Sequence, residues 1–110
     1  AGIAPSAGPC CYEVGPEVLA AAREGIGPHA AEFFRERQGR LTFDLWAANY
    51  DQLLSGGVLE ENIQVAGLCT LCRNDVFPSH RREGAAAGRF AAVIALAPDD
   101  AAGPGAPAIA

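Results

Sequence analysis

"DLWAANYDQLLSGGVLEENIQVAGL", Asp44 to Leu68, is the stretch on which the fold class turns. Leu45, Trp46, Asn49, Leu53 and Leu54 recur at three-to-four spacing, the period of a helix with one inward face. Thr42 or Asp44 can cap its start, and Gly56-Gly57 ends it. Ile63 to Leu68, with its β-branched residues, then reads as a strand. A helix followed at once by a strand predicts a mixed α and β layer.

The flanks extend this reading in both directions. Ala1 to Ala4 is a short apolar segment stopped by Pro5, and "AGIAP" reads as a strand already in progress, the mark of a fragment. Ser6 to Pro9 is a turn, and Pro16 opens a helix to about Glu24 with Val18, Leu19 and Ala22 on one face. "GIGPH" breaks that helix. Pro28 to Arg37 reads as a second, shorter helical pattern around Phe33 and Phe34. Beyond the strand, Cys69 to Gly88 reads as a long polar loop and "GRFAAVIAL", Gly88 to Leu96, as a buried strand. Residues 98–110 read as a disordered low-complexity tail. Three short strands make a thin sheet, which suits a partial domain better than a complete one.

Composition narrows the function classes. A chain of 110 residues supports one domain with a modest core, and much of its apolar half is alanine, which buries little area. Stability through a partner is therefore expected. The net charge of −5 argues against general nucleic-acid binding. All eight basic residues are Arg; with the Ala and Gly excess this looks like GC-rich coding, so choosing Arg over Lys is weak evidence for phosphate binding. The longest apolar run, Phe90 to Ala97, is too short to cross a bilayer. No secretory signal is legible, so a cytoplasmic, reduced protein is expected.

Two constellations carry chemistry. The first is the cysteines. "CTLC", Cys69 to Cys72, has zinc-knuckle spacing, but a lone CxxC is a weak signal and a closed site needs a second pair. Cys10 and Cys11 are adjacent, and on extended backbone adjacent side chains diverge, making a poor chelating pair. His80 could supply a further ligand. A thiolate nucleophile before the Pro16 helix would need a positioned His29 or His80. Simple packing is the remaining reading of the pair. The second constellation is "SHRREG", Ser79 to Gly84, where two Arg forks could hold phosphate or carboxylate, or simply form a solvated charged loop.

Three ordered stretches, "IAPSAGPCCYEVGPEV", "FDLWAANYDQLL" with "GGVLEENIQVAGLCT", and "FPSHRREG…GRFAAVIAL", resemble the laccase-domain family, also called multicopper polyphenol oxidase or YfiH-like. The resemblance covers roughly Ala1 to Leu96 and implies that residues 1–97 are the C-terminal part of that domain. It implies an α+β class: a partial CNF1/YfiH-like layered fold with a mixed sheet and flanking helices, incomplete in this chain. It also implies a zinc-dependent purine nucleoside phosphorylase, acting on adenosine or inosine with phosphate, with adenosine deamination also present in the family and copper in its older label. The family's metal ligands, two histidines and a cysteine, lie in upstream motifs that this sequence lacks. No metal or catalytic residue is therefore assigned here, no cofactor is expected in this chain alone, and the chain alone is expected to be inactive. Ala4 and Ala7, where Gly and Ile are usual, and Pro78, where Phe is usual, depart from the family pattern. By the resemblance Cys10 and Cys11 rim the substrate cavity, and Ser79, His80, Arg81 and Arg82 are substrate-loop candidates with individual roles unassigned. Expected partners are purine nucleoside, phosphate, the missing N-terminal part of the domain and a second copy of the chain; neither nucleic acid nor membrane is expected. The alternatives are a non-enzymatic remnant that dimerises or binds a partner, and a small cysteine-based zinc or redox module.

Overall fold

α2 (Leu45–Ser55) is the helix that the three-to-four spacing predicts. Asp44 rather than Thr42 caps it: its Oδ1 accepts from the Ala47 N–H at 3.0 Å. In the computed structural model, which describes residues 1–96, the helix contributes a smaller face to the core than its leucines suggest. Ala48 is its buried residue, and Leu45 and Ala47 pack beside it against Phe33 and Phe43. Trp46 turns away from that cluster and donates its Nε1–H to Ser6 Oγ at 2.8 Å.

α1 (Pro16–Gly25) starts at a proline whose missing N–H is lost in the first turn anyway. The expected helix over Pro28 to Arg37 is corrected. Pro28–Phe33 is a 3-10 turn, and Phe34–Arg37 is strand β2, paired antiparallel with β3 (Arg40–Phe43). The reason is local. Gln38 and Gly39 both have positive φ, 52° and 77°, the signature of a two-residue hairpin turn whose twist matches its strands. Phe34 then lies opposite Phe43, and their rings stack with centroids 4.3 Å apart. Around this pair sit Tyr12, Val14, Val18 and Ile26, forming the core. Among the described residues no large side chain is fully buried, in keeping with the modest core expected from composition.

β1 (Gly2–Ile3) pairs in parallel with β4 (Gln64–Val65). β4 is shorter than the expected strand Ile63 to Leu68, but a bridge between Ser6 and Cys69 continues its parallel course. The Ser6 N–H donates to the Leu68 carbonyl at 3.2 Å, and the Thr70 N–H to the Ser6 carbonyl at 3.1 Å. This seam carries the turn after Ser6 against the turn after Leu68. The α+β class holds. The described strands lie in two small two-stranded sheets, one parallel and one antiparallel.

Two C-terminal expectations are also corrected. The polar loop contains a short helix, α3 (His80–Glu83), started by Ser79. Gly88 to Leu96 is neither a strand nor buried: Val93, Ile94 and Leu96 are 71%, 61% and 100% exposed. Its apolar pattern suits a strand, but among the described residues no neighbour supplies the ladder hydrogen bonds a strand needs. The expected tail, 98–110, lies outside the described residues. No described helix is long and apolar enough to cross a membrane.

Candidate functional site

The four cysteines converge. The Sγ atoms of Cys10, Cys11, Cys69 and Cys72 all lie within 4.8 Å of one another. Cys10 Sγ and Cys11 Sγ are each 3.5 Å from Cys72 Sγ. The divergence expected of adjacent cysteines fails because the backbone there is not extended. Residues 9–11 form a tight turn, closed by the Cys11 and Tyr12 N–H groups donating to the Gly8 carbonyl at 3.0 and 2.9 Å. The opposite turn is closed by the Arg73 N–H donating to the Cys69 carbonyl at 2.9 Å. Gly8 joins the two turns. Its N–H donates to Cys69 Sγ at 3.2 Å, and a Cβ at this position would lie 2.7 Å from the Trp46 ring and 3.2 Å from Cys69 Cβ.

This setting separates the thiols electrostatically. Desolvation pushes Cys69 up, but donation from the N–H groups of Cys72, Gly8 and Leu71 outweighs it and holds the thiol at about 6. Desolvation within the cluster, followed by contact with the Cys72 sulfur, pushes Cys10 and Cys11 up. Neither histidine joins the group. His29 Nε2 lies 3.0 Å from Asp51 Oδ2, and His80 is exposed on α3. A cysteine–histidine nucleophile pair is therefore not formed among the described residues. Neither is a two-histidine, one-cysteine metal set of the kind the family resemblance implies.

Beside the sulfurs lies a cavity of about 590 Å³ lined by Cys10, Cys11, Arg35, Arg37, Arg40 and Arg82 among others. The hairpin explains the arginines. Residues two apart on a strand share a face, as do residues directly opposite. Arg35 and Arg37 alternate along β2, Arg37 lies opposite Arg40, and Arg35 lies opposite Thr42, which also lines the cavity. Like charges directly opposite each other are unfavourable unless an anion or solvent intervenes. Among the described residues none of the four arginines forms an ion pair with a carboxylate; Glu13 is the acid in the cavity wall. The "RERQGR" alternation around a Gln-Gly turn carried this signal, and reading the segment as helix hid it.

The substrate-loop candidates divide by position. Ser79 is buried; its Oγ accepts from the Arg82 N–H at 3.4 Å and its own N–H donates to Glu83 Oε1 at 3.1 Å. Arg81 reaches back over the Tyr12 ring, 4.8 Å from its centroid, and donates to the Glu13 carbonyl at 3.0 Å. Arg82 lines the arginine cavity with Cys10 and Cys11, whereas Ser79, His80 and Arg81 do not.

Residues 1–97, which span every element described above, match the multi-copper polyphenol oxidoreductase laccase family. The chain belongs to this family. It is 40% identical over 93 residues to purine nucleoside phosphorylase YlmD of Geobacillus stearothermophilus, covering 84% of this chain and 34% of that protein. A purine nucleoside phosphorylase of Xylella fastidiosa is 39% identical over 89 residues, covering 81% of this chain and 34% of that protein. The crystal structure of the Geobacillus YlmD superposes with a TM-score of 0.66 at 40% identity, over 74% of this chain and 30% of that one. The Bacillus licheniformis hypothetical protein YfiH gives 0.64 at 32% identity, with the same coverages. The chain thus spans about a third of the length of the curated relatives it matches.

Proposed function

We propose that residues 1–97 are the C-terminal part of a purine nucleoside phosphorylase domain, and that the arginine cavity holds its phosphate. The observation that carries the phosphate assignment is the unneutralised arginine face of the hairpin, with Arg82 added from α3. Arginine forks suit a bidentate tetrahedral oxyanion. In the reaction a phosphate oxygen bonds to C1′ of the nucleoside as the N-glycosidic bond breaks. The base leaves with the bonding pair and takes up a proton, and ribose 1-phosphate remains. This chain's share is to bind and orient the anion. Arg82 faces it, Arg81 and Ser79 hold the loop that presents Arg82, and Cys10 and Cys11 form the rim. The relatives' names favour a purine nucleoside as substrate, and the family resemblance narrows it to adenosine or inosine. Zinc belongs to the complete domain, and adenosine deamination and a cytoplasmic setting go with the same reading.

The remainder of the domain is the expected partner. Phe90 to Val93 and the β1–β4 seam line an apolar groove, and the exposed Val93, Ile94 and Leu96 leave a surface that further polypeptide would cover.

The test is Arg82→Ala in the complete domain. Losing one charge-assisted hydrogen bond costs about 1.5–3 kcal/mol, so KM for phosphate rises roughly 10- to 100-fold. KM for the nucleoside stays within about twofold on the same argument. An unchanged phosphate KM removes Arg82 from the site, and a rise confined to the nucleoside KM assigns the cavity to the other substrate.

A further inference from the structure

We propose that Cys10, Cys11, Cys69 and Cys72 form a structural zinc site that clamps the turn after Ser6 to the turn after Leu68. A closed tetrahedral site with Zn–S bonds near 2.3 Å places its sulfurs about 3.8 Å apart. Two separations here are 3.5 Å and all six fall within 4.8 Å, so the set brackets that edge length without backbone rearrangement. Four sulfur donors with no imidazole or carboxylate in the group favour a closed thiolate site, and the tetrahedral thiolate set favours zinc.

A second observation concerns how the sulfurs are held. The Gly8 N–H already points at Cys69 Sγ from the opposing turn, the outer-shell donation that stabilises a metal-bound thiolate. The ligands come in two pairs, 10–11 and 69–72, separated by about half of the chain but joined by the Ser6–Cys69 bridge. Among the described residues the core holds no fully buried large side chain, so a cross-link between these turns supplies stability that packing does not. Four Zn–S bonds form, and the protons still held by the protonated thiols pass to solvent. No electron is transferred.

The test is zinc content and zinc-edge X-ray absorption on the protein purified under reducing conditions without added metal. The expected result is one zinc per chain in a shell of four sulfurs at about 2.3 Å. Any metal carried by additional polypeptide of the domain is counted separately from a sample in which Cys11 and Cys72 are both replaced by Ser. That variant loses one zinc equivalent, and circular dichroism reports whether it folds. If it does not fold, the absorption spectrum of the unaltered protein decides alone. A shell of nitrogen and oxygen donors with no four-sulfur component, iron in place of zinc, or four freely titrating thiols in metal-free folded protein overturns the assignment. So does a Cys10–Cys72 or Cys11–Cys72 disulfide in protein kept reduced.

Discussion

Gly8→Ala is the sharpest test of how the two turns meet. The backbone at Gly8 is not in the left-handed region, so alanine is not strained by φ. The added Cβ, however, would sit 2.7 Å from the tip of the Trp46 ring and 3.2 Å from Cys69 Cβ. The ring cannot simply swing away, because Nε1–H is held by Ser6 Oγ at 2.8 Å. Overpacking of this kind costs about 1–3 kcal/mol. Against it, the stiffer unfolded chain returns about 0.4–1 kcal/mol. The net loss is therefore about 1–2 kcal/mol, which lowers a urea midpoint by roughly 0.5–1 M at ordinary m values. The assay is urea unfolding of both proteins in one buffer. Trp46→Phe, which removes the ring atoms the Cβ meets, should shrink the Gly8→Ala penalty by at least half in a double-mutant cycle. A midpoint that is unchanged or raised in Gly8→Ala, or a penalty equally large in the Trp46→Phe background, would refute the packing described for this seam.

Other expectations follow from single contacts. Asp44→Ala removes the cap of α2 and costs about 1 kcal/mol, while Asp44→Asn keeps most of it; equal losses in urea unfolding would count against the cap. Glu83 is held below its ordinary value of 4.5 by hydrogen bonds from Asn74 and then from the Ser79 N–H. A depressed folded pKa means that the unfolded chain protonates first. The contribution of Glu83 is therefore complete above 4.5 and is lost as pH falls through the lower folded value. Glu83→Gln should flatten that acid limb, and a carboxyl that titrates by NMR at or above 4.5 would contradict the assignment.

Helix α2 and its end were legible because periodicity, a capping residue and a glycine pair all agree over Asp44 to Gly57. The hairpin was not. Phe33 and Phe34 fit either a helix face or the start of a strand, and only the Gln38-Gly39 turn distinguishes the two. That one misreading also concealed the arginine face, which exists only when Arg35, Arg37 and Arg40 share a pleated surface. Arg82 was legible by residue type, yet only the structure separates it from Arg81, which is engaged with Tyr12 and Glu13. The cysteine cluster depends on a parallel seam between residues far apart in the chain, and on a turn that makes neighbours converge. Local spacing encodes neither. The final apolar run has the right pattern for a strand, but a strand also requires a neighbour, and a pattern does not specify one.

The most direct measurement joins this chain to the remaining two thirds of the Geobacillus YlmD, in place of the matching segment, and assays inosine with and without inorganic phosphate. The account predicts equal amounts of free base and ribose 1-phosphate from the folded chimera, nothing when phosphate is omitted, and nothing from the 110-residue chain by itself. A folded chimera that releases no base, or that yields free ribose regardless of phosphate, would contradict it.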